Sequence, residues 1–230
     1  MSAIAIIPAR GGSKRLPGKN ILDFCGKPMI AWTIEAAIHS GSFDRILVST
    51  DDEMIAQIAR DYGAEAPFLR ATAADDISPI SAATLVALEQ AESHWGQQFN
   101  TVVQLMANCP IRGSKEIFEA MHAFKESGSR FQISCFPFGW MNPWWAAKLD
   151  ETGRPEALFP GAMVARSQDL AKLYCPTGAI WIADAAALKC EKTFYGKGHR
   201  YQPMHWSSAV DIDDPEDLEM ALAILAMGGR

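Results

Sequence analysis

The chain has 230 residues, 49% of them hydrophobic and 21% charged, and a formal net charge of −6. That describes one folded, soluble unit of generous size; it excludes a disordered or collagen-like chain and a surface built to bind nucleic acid by counterion release. The charge is uneven: residues 8–27 hold five cations and one anion, a local +4 against −10 for the rest, which points to a small anion held at one place.

In chain order, Ala3–Ile7 is a short apolar run stopped by Pro8, a strand of the kind buried on both faces in a parallel sheet. A loop rich in glycine and lysine follows. Pro28 then opens a helix whose apolar face is Ile30, Ile34, Ala37 and Ile38. Arg45–Thr50 reads as a second strand, and Glu53–Tyr62 as a helix ended by Gly63. A third strand is expected over Ala64–Leu69, a helix over Ser81–Glu92, a buried strand over Thr101–Met106, and a helix over Ser114–Glu126 capped by Ser114. Strand and helix alternate as in an α/β sheet.

Beyond Gly128 the rhythm breaks. Gln132–Phe138 is strand-like, and residues 139–177 are rich in Pro, Gly and aromatics with no helical period across most of their length, so they read as an insertion with a function of its own. Gly178–Ala183 returns to a core strand. Pro215–Met227 closes the chain as a helix capped by Asp214, with Glu216 and Asp217 in its first turn. The whole is read as a single domain, residues 1–230, with 139–177 as an arm.

Five cysteines at irregular spacing form no C-x-x-C pair, and five histidines form no zinc pattern. The apolar opening is too short for a signal peptide or a membrane span, so a cytoplasmic protein with reduced thiols is expected, with no membrane or nucleic-acid partner.

The strongest chemical signal is Ile7-Pro-Ala-Arg-Gly-Gly-Ser-Lys-Arg-Leu-Pro-Gly-Lys-Asn20, directly after the first strand. Gly11, Gly12 and Gly18 let backbone amides approach oxyanions, while Arg10, Lys14, Arg15 and Lys19 supply charge for a polyphosphate. It is no Walker A loop, because Asn20 follows Gly18-Lys19 where that loop needs a hydroxyl residue, and no dinucleotide loop. A second signal is Asp211-Ile-Asp213. Alternation puts both carboxylates on one side of an extended segment, as hard ligands for Mg²⁺ beside substrate phosphates, or else the cluster simply caps the closing helix. Asp214 can cap while Asp211 and Asp213 bind metal. Asp51, at the end of the second strand, either faces the site or caps the Glu53 helix.

These motifs resemble the CMP-sialic acid synthetase family, the cytidylyltransferases that activate nine-carbon acidic sugars. The signature loop carries the resemblance, with Ser49-Thr-Asp-Asp52, Phe68-Leu-Arg70, Gly178–Ile182 and Asp211-Ile-Asp213 matching further motifs along almost the whole chain. Gln104-Leu-Met-Ala-Asn-Cys-Pro-Ile-Arg112 and Phe136-Pro-Phe-Gly-Trp-Met-Asn-Pro-Trp-Trp145 resemble the branch that acts on pseudaminic acid. The resemblance implies a Rossmann-like, GT-A-like nucleotidyltransferase: a three-layer α/β sandwich with a β-rich dimerisation arm, acting as a homodimer on CTP and an acidic sugar with Mg²⁺.

It further implies roles. Arg10 and Lys19 bind the triphosphate and stabilise the leaving pyrophosphate, with Lys14 and Arg15 in support. Ala9, Gly11, Gly12, Ser13 and Asn20 line the nucleotide pocket, Arg70 lies near cytosine, and a hydroxyl from Ser78 or Ser81 meets the base. Asp211 and Asp213 hold the metal. Sialic acid enzymes carry Q-P-T-S-P with glutamine four residues before proline, where this chain has Met106, and Cys175 stands where they carry a sugar-binding arginine. Gln104, Asn108, Trp140, Asn142, Trp144 and Arg166 are the expected sugar contacts, with Arg166 or Lys148 for the carboxylate. Phe138, Trp140, Trp144 and Trp145 suit the methyl-ended tail of pseudaminic acid, since buried apolar area is worth about 25 cal/mol per Å²; the same tryptophans also suit a core or a dimer contact. The alternatives are another acidic sugar (sialic, legionaminic or 3-deoxy-octulosonic acid), a non-catalytic sugar-nucleotide binding module, and a nicotinamide oxidoreductase.

Overall fold

A computed structural model describes residues 2–72 and 79–228. The elements run β1 (Ala3–Pro8), a short hairpin β2 (Asp23–Phe24) and β3 (Lys27–Pro28), α1 (Met29–His39), β4 (Arg45–Ser49), α2 (Glu53–Asp61), α3 (Ile80–Trp95), β5 (Thr101–Gln104), α4 (Ser114–Ser127) and β6 (Phe131–Pro137). Then follow β7 (Ala147–Leu149), β8 (Pro155–Ala157), β9 (Tyr174–Asp184), α5 (Ala185–Glu191), β10 (Arg200–Pro203) and α6 (Pro215–Ala226).

Six strands form the central sheet in the order β10-β6-β9-β5-β1-β4. β1 lies parallel to β4 and β5, and β10 parallel to β6, while β9 runs antiparallel to both of its neighbours. The sheet is therefore mixed. Alternation along β1 assigns its two faces: Ala3, Ala5 and Ile7 pack with residues of α1, α2 and α4, whereas Ile4 and Ile6 pack with Ala87 and Leu88 of α3 and Leu188 of α5. The result is three layers with a core on each face of the sheet. A third cluster, including Phe24, Met29, Ile111, Ile212, Ala221 and Ile224, seats α6 and pulls the 210–213 segment toward the start of the chain.

Several expectations are corrected. Residues 64–69 make only one bridge, Glu65 to Leu47, because Pro67 lacks the N–H that the ladder needs to continue. The cap of α2 is Asp52, whose carboxylate accepts from the N–H groups of Met54 and Ile55, and not Asp51. α4 is capped at Gly113, whose N–H donates to the Glu116 carboxylate at 3.0 Å, so Ser114 lies already inside the helix. α3 runs on to Trp95. The expected arm of 139–177 ends earlier, because Tyr174, Cys175 and Pro176 pair with Pro137, Phe136 and Cys135 in the central sheet. What remains of it carries the β7–β8 hairpin and three single-turn helices. Among the described residues no helix is long and apolar enough to cross a membrane.

Candidate active site

The signature loop leaves the carboxyl end of β1, where ligands of open α/β sheets bind. Ala9 is buried and gives its N–H to the Ser49 carbonyl at 3.0 Å, which keeps the loop's first residue in the sheet. The Gly11 N–H donates to Asp51 Oδ1 at 2.9 Å, so Asp51 faces the loop. A side chain at Gly11 would crowd the Asp52 carboxylate, since a Cβ there would stand 2.7 Å from its Oδ2. The buried amide of Asn20 donates to the Arg10 carbonyl at 2.9 Å and closes the loop on itself. Gly18, at φ +66°, takes the left-handed turn into the single helical turn Lys19–Ile21. Ser13 is half-buried, whereas Gly12 and Lys14 are exposed.

Lys19 Nζ lies 2.7 Å from Asp213 Oδ1, and Arg15 pairs with the other oxygen of the same carboxylate. Burial pushes the Asp213 carboxyl up, but the hydrogen bonds and charges of Lys19 and Arg15 outweigh it and hold the group below the usual range. Asp211 goes the other way: burial first, then the Asp213 charge, lift it to about 6. Asn108 joins the two carboxylates, with its Nδ2 donating to Asp211 Oδ1 and reaching Asp213 Oδ1 at 3.2 Å.

The donor chemistry of this pair fits Mg²⁺, which takes one or two carboxylates and completes its shell with phosphates and water. No group of three or more His, Cys, Asp or Glu residues able to hold a metal occurs among the described residues, so an all-protein cage is not what the site offers. A strongly raised Asp211 beside a second carboxylate is an arrangement that a hard cation relieves.

On the other side of the loop, Arg70 is buried, and its Nη1 donates to the Ser49 carbonyl and hydroxyl, both at 3.2 Å. Burial lowers its pKa, with the Asp51 charge opposing and the Arg10 charge adding to the effect. Ser81 is buried in the first turn of α3, and Ser78 lies outside the described residues.

The expected sugar contacts are scattered. Gln104 is fully buried at the end of β5, on the face turned to α3, and its Oε1 accepts from the Thr84 hydroxyl at 2.8 Å. Trp140 is 85% exposed. Asn142 caps the turn at 143–145, Trp144 gives its indole N–H to the Ala171 carbonyl, and Arg166 pairs with Asp169, all contacts within the arm. The structure thus gathers the signature loop, Asn108, Asp211 and Asp213 on one side and Asp51 and Arg70 on the other, while the arm residues keep to themselves. Sequence reading missed the bridging geometry of Asn108 and the buried Arg112 below it; only their shared N-C-P-I-R stretch marked them.

Residues 4–224 match the family model described as Cytidylyltransferase. The chain is 38% identical over 223 residues to the pseudaminic acid cytidylyltransferase of Campylobacter jejuni subsp. jejuni serotype O:23/36, covering 96% of this chain and 95% of that protein. It is 35% identical to the CMP-N,N'-diacetyllegionaminic acid synthase of Legionella pneumophila subsp. pneumophila, covering 94% and 93% respectively. Its fold matches that of CMP:2-keto-3-deoxy-manno-octonic acid synthetase complexed with CTP at a TM-score of 0.74 and 17% identity, covering 99% of this chain and 100% of that one. The chain belongs to the cytidylyltransferase family.

Proposed function

We propose that this protein transfers CMP from CTP to the anomeric hydroxyl of pseudaminic acid. The hydroxyl oxygen attacks the α-phosphorus, the bond to the β-phosphate breaks, and pyrophosphate leaves. The observation that carries the reading is the meeting of Lys19 and Arg15 with Asp213 at the mouth of β1, in a chain 38% identical over nearly its full length to a pseudaminic acid cytidylyltransferase.

Such a reaction asks a protein mainly for alignment and for positive charge around oxygens. Arg10 and Lys19 take the triphosphate and stabilise the departing pyrophosphate, with Lys14 and Arg15 in support. Gly11, Gly12 and Ser13 offer the loop's backbone to phosphate oxygens, Ala9 and Asn20 hold it in shape, and Arg70 with Ser81 serves the base side. Lys19 and Arg15 exchange Asp213 for phosphate when nucleotide enters, which frees that carboxylate. Asp211 and Asp213 would hold Mg²⁺, which supplies charge neutralisation for the transferring phosphoryl group when bound.

For the sugar, Met106 in place of glutamine disfavours sialic acid. The aromatic residues of the arm, Trp140, Trp144 and Trp145, favour a less polar tail. They reach a site in the dimer: the arm exposes Trp140, Leu149, Leu158, Phe159, Met163 and Val164, an apolar surface suited to a second copy of the chain, and the arm of one subunit then helps close the site of the other. A cytoplasmic setting suits the five free thiols. The diacetyllegionaminic relative at 35% identity keeps a second reading open, with the same chemistry on that sugar. Mass-spectrometric detection of the CMP-sugar after incubation with CTP, Mg²⁺ and pseudaminic acid tests the proposal; no product from any acidic sugar returns the chain to a binding module.

A further inference from the structure

We propose that Asn108 is a positioning residue: its amide nitrogen fixes the Asp211–Asp213 pair in the arrangement a divalent cation requires. The inference rests on the metal role of those carboxylates.

Asn108 is only 2% exposed. Its Nδ2 donates to Asp211 Oδ1 and, at 3.0 Å, to the Ile212 carbonyl, and it reaches Asp213 Oδ1 at 3.2 Å. An amide nitrogen has two hydrogens, so three acceptors already exceed what it can give. A sugar oxygen could accept from that nitrogen only by displacing a carboxylate or the Ile212 carbonyl. The backbone returns the contact, since the Ile212 N–H donates to the Asn108 carbonyl at 2.9 Å. Asn108 thus clasps the residue between the two aspartates from both its side chain and its main chain.

The loop that carries Asn108 is itself pinned. Four residues on, the fully buried Arg112 donates to the Ala179 carbonyl of β9 at 2.6 Å and to the Thr33 hydroxyl of α1 at 2.7 Å. Thr33 in turn donates to the Met106 carbonyl at 3.2 Å. Gly178 lets β9 press close from the other side, as a Cβ there would meet Met106 Cγ at 2.9 Å. Rigid helices and strands thus hold the loop on both sides of Asn108.

The identity of the residue matters as much as its place. A cation at this position would stay on the carboxylates after Lys19 and Arg15 turn to phosphate, and a third carboxylate beside the pair would add repulsion and could not donate to it. A neutral donor orients the carboxylates and leaves their charge intact, as partners behind metal ligands commonly do.

The test measures Mn²⁺ binding by electron paramagnetic resonance in the presence of α,β-methylene CTP, with CTP affinity in EDTA and the sugar KM measured beside it. Asn108→Ala should weaken Mn²⁺ binding by about 10- to 100-fold, the usual range for losing a partner behind a metal ligand, with metal-free CTP affinity and the thermal midpoint held. Asn108→Ser, which keeps a donor, should recover part of the loss. Parental Mn²⁺ affinity in Asn108→Ala together with a raised sugar KM overturns the inference and makes Asn108 a sugar contact. If Asn108→Ala does not fold, Asn108→Ser decides alone: weakened Mn²⁺ binding supports the inference, and parental affinity overturns it. If the parent binds no Mn²⁺, or Asp211→Ala binds it unchanged, the metal reading itself fails and takes this inference with it.

Discussion

Lys19 and Asp213 stand 194 positions apart in the chain, yet Lys19 Nζ lies 2.7 Å from Asp213 Oδ1. The contact joins the two most informative motifs of the sequence. The cation-rich loop after β1 and the acidic segment before α6 meet as two halves of one candidate site, and in the proposed reaction the entering triphosphate takes Lys19 and Arg15 from Asp213. Replacing Lys19 by alanine should lower kcat by about 10²–10³, the scale for losing one preorganised charge-stabilising donor. Steady-state pyrophosphate release reads the effect, and kinetics close to the parent would remove Lys19 from the mechanism.

The raised pKa of Asp211 gives a pH signature to the metal-free protein. A group whose folded pKa lies above its unfolded value contributes stability in full below the unfolded pKa, and that contribution is lost as pH rises through the folded one. For Asp211 the window runs from about 4, the ordinary aspartate value, to the folded value of about 6. Asp211→Asn removes the titration. Its stability relative to the parent in EDTA should therefore rise across that window by about 2–3 kcal/mol, the equivalent of two pKa units. Urea unfolding at the two ends of the window checks this, and a difference independent of pH would contradict it.

A side chain at Gly11 is predicted to disturb the cap of α2. In Gly11→Ala the new Cβ must displace the Asp52 carboxylate, which caps α2. The expected cost is about 1 kcal/mol of stability, the usual worth of a helix cap, with weaker CTP binding because the same shift moves the loop away from Asp51. Denaturation and nucleotide titration measure the two effects separately.

Much of this site is legible in the sequence because local chemistry marks it. Gly63 ends α2, Asp214 opens α6, and the glycines and cations of the signature loop stand in one run, whereas the choice of Asp52 over Asp51 as the cap of α2 shows only in the structure. The rest depends on partners distant in the chain. Nothing in the residues of β9 declares that it runs antiparallel to β5 and β6. β10, Arg-Tyr-Gln-Pro, has too little apolar character to stand out from a loop, and α5 is only 7 residues long. Gln104 reads as a ligand contact at the end of a strand, but the alternation that puts Val102 against α3 turns Gln104 the same way, into the Thr84 hydroxyl. The meeting of Asn108 with Asp211 spans 103 positions and has no local signature.

The arm gives a prediction about assembly. Trp140 is 85% exposed and Val164 91%, large apolar side chains on a segment whose side-chain hydrogen bonds are internal. The parent should sediment as a dimer, and Trp140→Glu with Val164→Asp should shift it toward monomer and reduce turnover. A parent that sediments as a monomer would refute the shared site.

The central claim concerns the substrate pair. It is tested most directly by kcat/KM for pyrophosphate release across a panel: pseudaminic, diacetyllegionaminic, sialic and 3-deoxy-octulosonic acids, each with CTP and with the other nucleoside triphosphates. The account predicts the highest value for pseudaminic acid with CTP. Turnover of sialic acid with none of pseudaminic acid, or a preference for another nucleotide, would contradict it.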